Sequence, residues 1–165
     1  MSFYDRLDSN KTVQKAKAVL SEYARFIKIV NNSLCVVENA NCSFGKALTF
    51  SNYISADTRL VAVMNRKDKS RSYEEIYNYI NDIQSAIDCL KTDQIEILNM
   101  KYVNEMTNQE IATRLSADGK IISERQVARR LRLLHVDFAI AYGVYVVKKE
   151  KSKNEISVSK LSKKT

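Results

Sequence analysis

Proline is absent from all 165 residues, and only three glycines occur. Strand-and-turn architectures therefore lack their usual punctuation, whereas long uninterrupted helices are permitted. His135 is the sole histidine. One imidazole excludes a histidine-rich zinc site and leaves no Ser-His-Asp arrangement to assemble. The three cysteines, Cys35, Cys42 and Cys89, are an odd number without tight pairing. Cys35 and Cys42 make a poor metal pair, and the thiols read as buried or idle. No GxxxxGK[ST] phosphate loop is present, and Glu74, Glu75 and Asp82 read as solvating charge rather than a metal-dependent nuclease centre. No enzyme activity and no cofactor are expected. No apolar run approaches the ~20 residues that span a bilayer, and the N-terminus has no signal-peptide core. The expected location is the cytoplasm, with no membrane partner.

What is abundant is positive charge, and it is unevenly placed. The net charge is +8. Residues 1–71 hold 12 basic and 6 acidic groups, residues 72–113 hold 2 and 8, and residues 114–135 hold 6 and 2. A single acid follows before residue 148, and the tail from there carries 7 basic and 2 acidic groups. Excess cations thus follow directly on an acidic stretch. That placement suits a polyanionic partner better than a uniformly basic surface does.

Hydrophobic spacing gives an all-α chain. Val13, Ala16, Leu20, Tyr23, Ile27 and Val30 recur at alternating intervals of three and four, predicting a helix over roughly Lys11 to Asn31. Tyr73, Ile76, Ile80, Ile83, Ile87 and Leu90 do the same behind a capping box, Ser72-Tyr-Glu-Glu75. Either stripe suits intramolecular packing or a short homodimer seam. Leu34 to Val63 is the least legible part: Leu34 to Val37 reads as a short strand or a helix end, and Arg59 to Met64 as a short helix or strand. Asn65 to Arg71 reads as a charged linker. The expected organisation is a helical N-terminal region over residues 1–71, for dimerisation or partner binding. A DNA-binding domain over 72–147 and a basic, disordered tail over 148–165 follow it.

The central domain carries the functional signal. Thr92-Asp93 caps a support helix with Ile95, Ile97, Leu98 and Tyr102 on its inner face, and Asn104-Glu105-Met106 turns the chain. Thr107-Asn-Gln-Glu110 is a capping box opening a short helix with apolar positions Ile111, Ala112 and Leu115. Ser116 to Ile122, with Asp118-Gly119, forms a turn of seven residues. Ser123 and Gln126 make a second capping box opening a longer helix, apolar at Val127, Leu131, Leu134 and Phe138, with Gly143 as its stop. Its other face shows Arg125, Arg129, Arg130 and Arg132. A short helix, a turn and a longer arginine-rich helix form a helix-turn-helix, the arrangement that presents side chains to a major groove of double-stranded DNA. Arg125, Gln126 and Arg129, near the N-terminus of the second helix, are the candidates for base edges. Arginine pairs with guanine O6/N7 and glutamine with adenine N6/N7. Arg130, Arg132 and Lys120 are expected on phosphates. Thr107, Asn108 and Ser123, at the two helix starts, complete the candidate interface.

From Ser72 to Gly143 the order of features resembles sigma-factor region 4. More narrowly, Ile95 to Tyr102, Thr107-Asn-Gln-Glu-Ile-Ala112, Ser123 and the ending Phe138-Ala-Ile-Ala-Tyr-Gly143 resemble the ArpU family of phage transcriptional regulators, relatives of RinA-type late-gene activators. The resemblance covers a little under half the chain. It implies a phage or prophage protein that binds a promoter region, contacts host RNA polymerase and activates late genes for packaging and lysis. Two other readings stay open beside it. One is a small terminase-like packaging protein that gathers viral DNA; the other is a sigma-like factor proper.

Overall fold

The computed structural model describes residues 2–38, 50, 58–116, 119 and 121–149. Seven α-helices occur among them, with no strand: α1 (Phe3–Arg6), α2 (Ser9–Glu38), α3 (Thr58–Lys67), α4 (Tyr73–Asp88), α5 (Thr92–Leu98), α6 (Asn108–Ser116) and α7 (Glu124–Tyr142). The all-α expectation is met. Leu34 to Val37 belongs to the end of α2, and Arg59 to Met64 lies inside α3. The remainder of the illegible stretch, residues 39–49 and 51–57, falls outside the described residues. So do the side chains of Cys35 and Cys42, while Cys89 is an exposed free thiol. The lysine-rich tail beyond Lys149 also lies outside them.

The local chemistry explains where the helices start and stop. Ser72 caps α4 as anticipated: the Glu75 amide donates to the Ser72 hydroxyl at 3.2 Å, and the Ser72 amide donates to the Glu75 carboxylate at 2.7 Å. α5 does not simply end. It widens into a π turn over Asn99–Val103, closed by the Asn104 amide on the Asn99 carbonyl at 2.9 Å. The extra residue rotates the chain and buries Met100, a position outside the expected inner face. α7 ends at Gly143, whose φ of 84° is left-handed and whose amide donates to the Ala139 carbonyl. A Cβ there would meet no atom within 4 Å. Gly143→Ala is therefore expected to cost about 1 kcal/mol from backbone strain alone, read as a lowered midpoint in denaturant unfolding.

The α2 stripe is spent within the chain: Val13, Ala16, Leu20, Tyr23, Ile27 and Val30 are all buried. α2 lies along α7, and α4 and α6 pack on α7 as well. The main core combines the α2 stripe from Ala16 onward with Ile76, Ile80, Ile83 and Ile87 of α4, and with Val127, Leu131, Leu134 and Phe138 of α7. Phe50 closes it, its amide donating to Asn99 Oδ1 at 2.7 Å and its ring lying 5.8 Å from that of Tyr23. α7 is also covered on a second side. Val136 packs with Leu7 and Val13 in a small separate cluster. Gln84 Nε2 and the Tyr23 hydroxyl, both buried, pair across α4 and α2 at 3.2 Å.

The two ends of the described chain meet. Leu7 and Val147 form an antiparallel bridge, the Asp8 amide donates to the Val146 carbonyl at 2.8 Å, and the Lys148 amide donates to the Arg6 carbonyl at 2.8 Å. The Val146 amide donates to the Thr12 hydroxyl at 3.0 Å, deep in the first turn of α2.

Candidate nucleic-acid interface

The helix-turn-helix is built as its residues dictate. The Thr107 amide and hydroxyl both donate to the Glu110 carboxylate, at 2.7 and 2.9 Å, and the Glu110 amide donates back to the Thr107 hydroxyl at 3.3 Å. These bonds hold the Glu110 carboxyl below its ordinary range. The same reciprocal arrangement joins Ser123 and Gln126, at 2.8 and 3.3 Å. Between them, one hydroxyl pins the ends of the long turn. Ser116 Oγ donates to the Ala112 carbonyl at 2.7 Å and accepts from the Ile122 amide at 2.9 Å. The end of α6 and the residue before Ser123 are thereby held together. Ala112 and Ile111 are buried beneath Val127, Leu131 and the rest of the core.

With Val127 and Leu131 facing inward, the arginines are left outside. Arg125, Arg129, Arg130 and Arg132 are all exposed. At ~100° per residue, Arg125, Arg129 and Arg132 fall within about 60° of one another, whereas Arg130 is turned about 100° beyond Arg129. The four do not form one stripe. Arg125, Arg129 and Arg132 line a groove of about 1110 Å³, and Arg130 is not among its lining residues. No ion pair engages Arg125, Arg129 or Arg130 among the described residues. Arg132 is held by neutral partners on α2, donating to Ser9 Oγ at 2.9 Å and Asn10 Oδ1 at 2.8 Å.

The remaining candidates are distributed around the same groove. Ser123, Gln126 and Asn108 line it. Gln126 Oε1 is already used by the cap, so its amide NH2 is the end left for a ligand. Asn108 Oδ1 accepts from Lys101 Nζ at 3.1 Å, which orients that ammonium at the start of α6. Thr107 caps α6 beside it but is not a lining residue. Lys120 lies outside the described residues.

Two cations that sequence reasoning missed belong here. Lys101, from the π turn, and Lys17, from α2, line the groove with the three arginines. No carboxylate among the described residues lines it. Nothing local marked Lys17, which stands 108 positions before Arg125 and reaches the groove only because α2 packs along α7. The floor is uncharged. His135 is 2% exposed, and its Nε2 lies 2.6 Å from the Tyr102 hydroxyl. Burial, and then Lys17 and Lys101, push the His135 imidazole down to about 4. Burial pushes Tyr102 up to about 12, so the phenol keeps its proton and shares a hydrogen bond with the neutral imidazole.

Residues 80–133 match the family model for Sigma-70, region 4. The matched stretch runs from the middle of α4 to the middle of α7 and takes in the π turn, α6 and the turn before α7. The chain therefore carries a sigma region 4-like helix-turn-helix of the kind that binds DNA, behind a helical N-terminal region. No curated protein and no solved structure matches the chain. No helix among the described residues is long and apolar enough to cross a membrane.

Proposed function

We propose that this protein is a non-enzymatic, sequence-specific regulator of transcription that reads duplex DNA with the N-terminal half of α7. The observation that carries the reading is the state of Arg125 and Arg129. Both sit in the first two turns of a helix anchored on its apolar side, both are exposed, and neither is engaged by a carboxylate among the described residues. Guanidinium groups so placed have their full hydrogen-bonding capacity available for guanine edges. The sigma region 4-like match supports a second partner, bacterial RNA polymerase, brought to the promoter beside the bound site. The resemblance to ArpU-type regulators supports a phage or prophage origin and activation of late genes.

Selection of bound sites from a random pool of duplexes by the full chain tests the reading. A recurrent site should be enriched, and two half-sites one helical turn apart would mark a symmetric dimer. A bound pool with no more sequence bias than the starting pool would exclude sequence-specific recognition. Transcription from the selected site should require polymerase holoenzyme as well as this protein; activity with core polymerase alone would mark a sigma factor instead.

A further inference from the structure

We propose that α2 is the second jaw of the DNA interface, with Lys17 gripping the phosphate backbone beside the bases that α7 reads. The proposal rests on the DNA-binding reading above and adds to it an element far outside residues 80–133, the segment that resembles sigma region 4. Three observations carry it.

The groove has two walls. One is α7 with Arg125, Arg129 and Arg132, and the other is α2 with Val13, Lys17 and Ser21. The walls are fixed relative to each other: Arg132 bonds Ser9 and Asn10 at the start of α2, and Val136 packs on Val13.

The charge is all of one sign. Lys17, Lys101, Arg125, Arg129 and Arg132 face the space, and no carboxylate among the described residues does. Lys17 is exposed and joins no ion pair among the described residues. Fixed walls of like charge with no internal neutralisation repel one another, and an anion between them removes that repulsion.

The size and the floor select the anion. About 1110 Å³ is far more than a single phosphate or nucleotide fills. His135 and Tyr102, neutral at the bottom, offer no charge to a small anion that penetrates. Charge at the rim with a neutral floor suits a ridge of successive phosphates, which is how a duplex backbone presents itself.

The test compares the wild type with Lys17→Ala, Lys15→Ala, Arg125→Ala and Arg132→Ala, all full-length. Fluorescence anisotropy would be read on the selected duplex and on an unrelated duplex across a salt series. Lys15 is an exposed neighbour on α2 that does not line the groove. Losing one phosphate contact lowers the salt slope by ~0.9, so Lys17→Ala should weaken binding about eightfold at 0.1 M salt, equally on both duplexes. Lys15→Ala should change neither affinity nor slope. Lys17→Ala matching Lys15→Ala would overturn the proposal, and a loss confined to Arg125→Ala in that experiment would leave the DNA-binding reading standing. Failure of the wild type to bind either duplex would overturn both. A gain in affinity from Arg132→Ala would also overturn the proposal, because it would mean that α2 covers the arginines rather than assisting them.

Discussion

Replacing Arg125 and Arg129 together by alanine is expected to weaken binding to the selected site by about 2–6 kcal/mol, from ~1–3 kcal/mol for each base contact. The two lie one turn apart on α7, so their losses need not add, and the double variant should fall towards the lower end of that range. On an unrelated duplex the loss should be much smaller. Neither side chain supports the fold: both are exposed, and no ion pair holds them among the described residues. Thermal unfolding of the variant should therefore stay within about 0.5 kcal/mol of wild type. Arg130→Ala should behave differently. Turned away from the groove, it should cost little and cost it equally on every sequence. Equal losses on the selected and unrelated duplexes from Arg125→Ala and Arg129→Ala would end the assignment of these residues to base edges.

Acid should destabilise the protein through one residue before its carboxylates titrate. His135 is held neutral in the folded state, its pKa lowered to about 4 first by burial and then by Lys17 from α2 and Lys101 from the π turn, partly offset by the Leu131 carbonyl. In the unfolded chain the imidazole titrates near 6.5. A base with a depressed folded pKa contributes stability that is complete above 6.5 and lost as pH falls towards 4, since the unfolded chain takes up the proton first. The expected loss is about 2 kcal/mol at pH 5 relative to pH 7. Asp8, Asp68 and Glu110 also have lowered folded values, but their unfolded values lie near 4, so their contribution disappears at lower pH. Urea unfolding at pH 7, 6 and 5 separates the two windows. His135→Gln, which removes the titrating group, should lose the slope between pH 5 and 6.5 while keeping the loss below pH 4. An unchanged slope in that variant would assign the acid sensitivity elsewhere.

The helix-turn-helix was legible because its signals are local. Thr107 with Glu110, and Ser123 with Gln126, declare helix starts within four residues, and the Val127, Leu131, Leu134, Phe138 spacing declares the buried side. The α2 stripe was legible for the same reason, as was the α4 stripe from Ile76 onward, while Tyr73, expected on it, is exposed in the first turn. What escaped is what depends on partners distant in sequence. Val136 points away from the main apolar stripe of α7, and its burial follows from Leu7 and Val13 arriving on a second side. Met100 is buried because the π turn adds a residue to the helical period, and no spacing rule for an α-helix anticipates that. Ser116 looked like ordinary turn composition until its hydroxyl was seen to join Ala112 to Ile122. Counting arginines along α7 suggested one basic face, but the periodicity that buries Leu131 also sends Arg130 to a different side from Arg129. Lys17 carried no mark at all, because its neighbourhood is made by another helix.

The bridge between Leu7 and Val147 sets a timetable for the newborn chain. Thr12 and Val146 are 134 positions apart, so a ribosome delivers the start of α2 long before it delivers the residues that seal it. Until then the Asp8 amide lacks its backbone acceptor and the side of α2 bearing Val13 has no Val136 to rest on. The nascent protein can assemble its middle early, yet the start of α2 is sealed only once residues 146 to 148 have emerged.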